Sequence, residues 1–134
     1  MNFLADTNVL SELVRPRPNP GVLSWADQVR VVHLSAVTVE EILFGLSWKP
    51  NAKILAWFEQ FLQGHSLLLP VSPQIARHSG ELRGRLRAAG QVRTQADMLI
   101  AATAAIHNLT VVTRNERDFE GCGVSILNPF LKDG

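Results

Sequence analysis

The chain of 134 residues contains a single cysteine, Cys122, and no tyrosine. One thiol excludes an intramolecular disulfide and a cysteine zinc knuckle, and it fits a reducing compartment. No apolar run approaches the roughly 20 residues that span a bilayer. The opening Met1-Asn2-Phe3-Leu4-Ala5-Asp6 has no cationic stretch ahead of an apolar segment, so neither a transmembrane helix nor a secretory signal is expected. A cytosolic protein is the simplest reading. An excess of one charge is also missing: the formal net charge is +1, so any nucleic-acid footprint must be local. His33, His65, His78 and His107 show no ligand spacing such as HExxH, and no GxxxxGK[ST] phosphate loop occurs. Neither internal repeats nor low-complexity segments interrupt the chain.

A length of 134 residues suits one compact domain, residues 1–134, with a single core. The 46% hydrophobic and 19% charged content is ordinary for a globular protein. Short apolar segments alternate with longer helical ones, the pattern of an α/β domain with a mainly parallel sheet. Strands are predicted at Asn2 to Ala5, Val31 to Ser35, Leu67 to Val71, Leu109 to Thr113 and Val124 to Leu127. A short helix from Thr7 to Val14 should end at Arg15-Pro16-Arg17-Pro18-Asn19-Pro20, where proline prohibits continuation. Gly21 to Gln28 follows, then a helical hairpin, Val37 to Trp48 and Asn51 to Gln63, broken at Pro50. Ser72-Pro73 carries the N-cap and N1 signature of a helix with Ile75, Ser79, Leu82, Leu86 and Ala89 on one face, closed by Gly90. Thr94 and Asp97 stand in capping-box spacing before an Ala-rich helix running to about His107.

Four acidic or amide residues fall where these elements begin or turn over: Asp6, Glu41, Asp97 and Asn115. Each has an ordinary structural explanation. Asp6 between strand and helix is a natural N-cap, with Thr7 and Asn8 placed to hold it; yet the C-terminal end of a parallel strand is also where α/β sheets put ligands. Glu41, like Glu40, is explained as a solvated helix residue. Gly45, four residues on and on the same face, leaves room beside Glu41 for a ligand or a backbone. Asp97 is explained by the cap, and Asn115 and Asp118 by turn chemistry after the strand ending at Thr113.

The ordered set is more informative than its members. DTNVLSEL, a Glu four residues before a Gly, ADMLIAATA and VTRNERDF occur in this order and at these separations. The combination resembles the PIN-domain ribonucleases, and within them the VapC-type toxins of bacterial toxin–antitoxin operons; the ending Ile126-Leu127-Asn128-Pro129-Phe130 is similar to the FitB branch. The resemblance spans almost the whole chain. It implies a PIN-like three-layer domain with a central five-stranded sheet flanked by helices. It also implies that Asp6, Glu41 and Asp97 match the principal acidic metal-site residues. Asn115 matches the position of a fourth acid, so here the chain departs from the fuller pattern, with Asp118 three residues later as a candidate for the missing charge. Thr113 resembles a hydroxyl residue beside the cluster. Homodimerisation and a cognate antitoxin lying over the active groove are further implications.

Carboxylates about 4 Å apart repel by roughly 4 kcal/mol per pair at an effective dielectric of about 20, so three sharing a crevice demand a proton or a cation. Oxygen ligands without Cys or His favour Mg²⁺ or Mn²⁺ over Zn²⁺. The expected activity is metal-dependent hydrolysis of RNA, with Asp6 and Asp97 as main ligands and Glu41 as ligand or water-orienting base. Arg83, Arg85 and Arg87, with Arg77 and Arg93 nearby, would form a basic rim for the substrate or simply a solvated helix face. Trp25, Trp48 and Trp57 sit at helical rather than base-stacking positions, and Trp48, Trp57, Phe58 and Phe61 would form a hairpin surface for a second copy or an antitoxin. The rival from another class is a catalytically silent PIN-like module that binds RNA or protein, a reading that the amide at Asn115 invites. A phosphoacceptor receiver domain lacks its acidic pair and a suitably placed lysine here.

Overall fold

The structure, a computed structural model, describes residues 2–132. Five strands form one sheet: β1 (Phe3–Ala5), β2 (Val32–Ser35), β3 (Ser66–Leu69), β4 (Thr110–Val112) and β5 (Ile126–Leu127). Six helices connect them: α1 (Thr7–Leu13), α2 (Pro20–Asp27), α3 (Ala36–Trp48), α4 (Ala52–Gly64), α5 (Pro73–Ala88) and α6 (Gln95–His107). The strand order is β3-β2-β1-β4-β5, and every pairing is parallel. The expected mainly parallel sheet is thus parallel throughout, and each crossover carries helix to one face or the other.

Period-two alternation divides the core. Leu4 and Val111 face one side with Leu82 of α5, Met98, Ile100, Ala101 and Ala104 of α6, Phe119 and Cys122. Ala5 and Val112 face the other with Val9 and Leu10 of α1, Val22 and Trp25 of α2, Val32 and Leu34 of β2, and Phe58 of α4. Helix layers therefore cover both faces of the sheet. On α5, Ile75, Ser79 and Leu82 are buried as the spacing predicts, whereas Ala89 lies exposed at the C-cap. Buried Ala101, Ala102 and Ala104 let α6 approach the sheet closely.

The helix signals in the sequence operate physically. The side chains of Asn19, Ser35, Asn51, Ser72 and Thr94 each accept a backbone N–H at the start of their helices, and Asn108, at φ 55°, ends α6 in the left-handed conformation. Strand limits were less legible. β3 stops at Leu69 rather than Val71, because Pro70 has no N–H to give the ladder. β5 begins at Ile126 rather than Val124, after the positive-φ turn at Gly123. One aromatic grouping is corrected: Phe58 is 1% exposed and belongs to the core, while Trp48 is 74% exposed. Trp57 and Phe61 stack on each other and pack against that core.

The segment after β5 folds back over α2. Asn19 donates from Nδ2 to the Leu131 carbonyl (2.9 Å) and accepts the Leu131 N–H (3.0 Å). Gly21 is pressed beneath it, where a Cβ would meet the Pro129 carbonyl and lie 2.7 Å from Leu131 Cγ. Gly21→Ala should therefore destabilise the fold by about 1–3 kcal/mol, as overpacking against backbone does. Gly84, in the exposed middle of α5 with nothing within 4 Å of its missing Cβ, should behave oppositely: Gly84→Ala is expected to stabilise by about 0.5–1 kcal/mol. Thermal denaturation of both variants checks the contrast.

Candidate active site

The chain builds β1, β2 and β3 outward on one side, then returns to place β4 on the other side of β1. A crevice opens beyond the strand ends at such a reversal. Asp6 follows β1 and Thr113 follows β4, so the register Ala5 opposite Val112 brings them together across the reversal. The ladder is extended one step by the Asp6 N–H donating to the Val112 carbonyl at 2.9 Å.

Asp6 is 6% exposed, and three groups fix its carboxylate. The Thr7 N–H donates to Oδ1 (2.8 Å), the Thr113 hydroxyl to Oδ2 (2.9 Å) and Asn8 Nδ2 to the same oxygen (3.1 Å). Asn8 also accepts the Arg114 N–H on its Oδ1, and Thr113 Oγ1 accepts the Asn115 N–H at 3.0 Å. The loops after β1 and β4 are therefore tied through side chains. Asp6 is both the N-cap of α1 and a member of the pocket, so its structural and chemical explanations coexist.

Glu41 arrives from α3, with the Thr7 hydroxyl donating to its Oε1 at 2.9 Å. Asp97 arrives from the first turn of α6, where its N–H donates to Thr94 Oγ1 at 3.1 Å. Asn115 and Asp118 come from the loop and the short 3₁₀ turn, Glu116–Phe119, after β4. Asp6, Thr7, Asn8, Glu41, Asp97, Asn115 and Asp118 line one cavity of about 580 Å³. Gly45 lies outside this lining, with open space around it.

The carboxylates act on one another. Burial pushes the Asp6 carboxyl above its ordinary range, against the pull of the Thr113 hydroxyl and Thr7 N–H, and the charges of Glu41 and Asp118 raise it further. Burial likewise raises Asp97; the Thr94 hydroxyl opposes this, Asp6 and Asp118 add to it, and Arg93 opposes it weakly. Asp118 thus bears on both main acids, which Asn115, as an amide, cannot do.

A divalent cation suits this donor set. The acidic lining offers oxygen alone, without His or Cys, and hard oxygen donors match Mg²⁺ or Mn²⁺. Among the described residues no three of the His, Cys, Asp and Glu side chains are grouped closely enough to hold one ion together. An ion here would take one or two carboxylates directly and keep water in its other positions.

The sequence missed part of the lining: Ser11, Glu12, Arg15 and Arg114 also border the cavity. Asn8, Ser11 and Glu12 recur at helical spacing, so this face of α1 was readable once Asn8 was placed, and Arg15 follows just past the C-cap Val14. Conversely, none of Arg77, Arg83, Arg85, Arg87 and Arg93 lines the cavity. The first four are exposed on α5. Arg93 is spent on the backbone instead, donating to the carbonyls of Asp118 (2.8 Å) and Glu120 (2.9 Å) and so anchoring the turn that carries Asp118.

The sequence and fold are similar to those of known proteins. The model of the PIN domain matches residues 3–122. The VapC ribonuclease Y4jK of Sinorhizobium fredii is 38% identical, over 96% of this chain and 97% of that protein. The crystal structure of FitAcB from Neisseria gonorrhoeae superposes with a TM-score of 0.81 at 36% identity, covering 95% of this chain and 97% of that one. A toxin–antitoxin complex from Klebsiella pneumoniae superposes with a TM-score of 0.77 at 25% identity, covering 96% and 98%. With its fold and nearly its whole length matched, the chain belongs to the PIN domain family and is of the VapC type.

Proposed function

We propose that this protein is a metal-dependent endoribonuclease and the toxin of a toxin–antitoxin pair. The observation that carries the reading is the convergence of Asp6, Glu41, Asp97 and Asp118 on one cavity at the strand-order reversal. The ribonuclease relative and the toxin–antitoxin complex that superposes on the chain support it. An antitoxin partner, a homodimer and a cytosolic site of action belong to the same proposal. Among the described residues no helix is long and apolar enough to cross a membrane.

Asp6 and Asp97 would hold the ion. When bound, Mg²⁺ or Mn²⁺ supplies water of lowered pKa and neutralises charge on the phosphoryl oxygens. The rest falls to the protein. Thr113, Asn8 and the Thr7 N–H lock the Asp6 carboxylate in one orientation, so the ion would meet a preset ligand. Thr7 holds Glu41 by one oxygen, which leaves the other to orient water or take its proton. Asp118 supplies the negative charge that Asn115 lacks, and this weakens the case for a silent binding module.

Cleavage of a mixed RNA pool tests the proposal. Activity is expected with Mg²⁺ or Mn²⁺, and none with EDTA or after Asp97→Asn or Asp6→Asn; cleavage that survives chelation or either substitution would refute it. Thr113→Val keeps the shape but removes the hydroxyl from Asp6. It should lower activity by about 10–100-fold, measured as kcat/KM at saturating metal.

Stability should show the same electrostatics. Because the Asp97 carboxyl is raised in the folded chain, the native state holds its proton more tightly than the unfolded state. Stability is then lost as pH rises from the ordinary carboxylate range through the native value, and is level above it. Asp97→Asn is therefore expected to raise Tm in EDTA at neutral pH. The gain should shrink as pH falls to about 4.

A further inference from the structure

RNA is a polyanion, yet the cavity presents the carboxylates of Asp6, Glu41, Asp97 and Asp118. A bound ion offsets charge at the reacting phosphate but not at its neighbours, so the flanking phosphates need cations of their own. Of the 13 Lys and Arg residues in the chain, Arg15 and Arg114 line this cavity.

Both are held for the purpose. Glu12 is buried although charged; it accepts the Asn19 N–H at 2.8 Å and Arg15 Nη1 at 3.2 Å. The Asn19 N–H, Arg15 and Arg114 keep its carboxyl below the ordinary range in spite of burial. Glu12 therefore stays anionic and tethers one arm of the Arg15 guanidinium, whose side chain remains 64% exposed. The Arg114 guanidinium lies 5.1 Å from the centre of the Phe130 ring, supported on its flat face. Among the described residues it forms no ion pair and no side-chain hydrogen bond. Two planar forks thus line the acidic cavity with donors to spare, and such forks suit phosphate oxygens.

We infer that Arg15 and Arg114 are the phosphate-binding pair of this site, gripping RNA backbone phosphates next to the one positioned for cleavage. This inference rests on the endoribonuclease reading and gives its cavity a direction: carboxylates where the bond breaks, arginines where the strand is held. The electrostatic contact with substrate is thereby assigned to the turn after α1 and the loop after β4, not to the arginine row of α5.

Binding without cleavage tests it. Fluorescence anisotropy of a labelled mixed-sequence single-stranded RNA in EDTA, over a salt series, should show affinity falling about tenfold for Arg15→Gln and for Arg114→Gln. The slope of log affinity against log salt should drop by about 0.7 for each phosphate that the variant no longer neutralises. Arg114→Lys should recover part of the affinity, since charge returns without the fork. Arg30→Gln, which removes the same charge at the opposite end of the strands, just before β2, should stay near the unsubstituted value. Wild-type affinity and slope in both arginine variants, or decreases no larger than for Arg30→Gln, overturn the assignment while leaving the nuclease reading intact. Absence of RNA binding by the unsubstituted chain overturns the assignment alone, because the nuclease reading requires the ion that EDTA removes and is decided by the cleavage assay.

Discussion

The hydrogen bond from the Thr113 hydroxyl to Asp6 Oδ2 closes the strand-order reversal. It joins residues 107 positions apart, at the ends of adjacent parallel strands, and the acidic cavity is arranged around it. Asn8 braces it from α1, and the Asn115 N–H leans on the same hydroxyl oxygen. Without it, a buried carboxylate would be deprived of a charge-assisted partner in a site already crowded with like charge. The bond therefore serves fold and chemistry together. It satisfies a polar group left at the end of the central strand, and it fixes the orientation of that carboxylate within the cavity.

The sheet, the helices and their caps were largely legible because each rests on local chemistry. Pro73 after Ser72, Asn51 after Pro50 and Thr94 three residues before Asp97 announce helix starts whatever the tertiary context. Strand ends were less certain, since β3 stops where Pro70 withholds a donor and β5 is only a two-residue ladder. For the site, Asp6, Glu41, Asp97 and Asn115 could be nominated from the order of motifs. Asp118 was a candidate from the same motif as Asn115, and its place in the cavity depends on the 3₁₀ turn held by Arg93, an interaction between residues 25 apart.

Charge was the hardest property to read. A row of arginines on α5 looks basic in a linear sequence, but that helix turns Ile75, Ser79 and Leu82 inward and presents those charges to solvent, away from the cavity lining. Arg15 sits beside a proline-rich stretch and Arg114 inside a turn, where neither stands out. Glu12, on which no motif bears, is a buried carboxylate that accepts the Asn19 N–H from the next segment.

The long separation between Asp6 and its partners also governs when the site comes into being. During synthesis from the N-terminus, Asp6 emerges early, whereas Thr113 and Asp118 follow more than 100 residues later. β1 meanwhile has β2 to pair with on one side only. A nascent chain therefore holds no assembled acidic cavity until β4 has cleared the ribosome and settled against β1. A chain that would cut RNA is thus without its cutting site until β4 and the turn after it are in place.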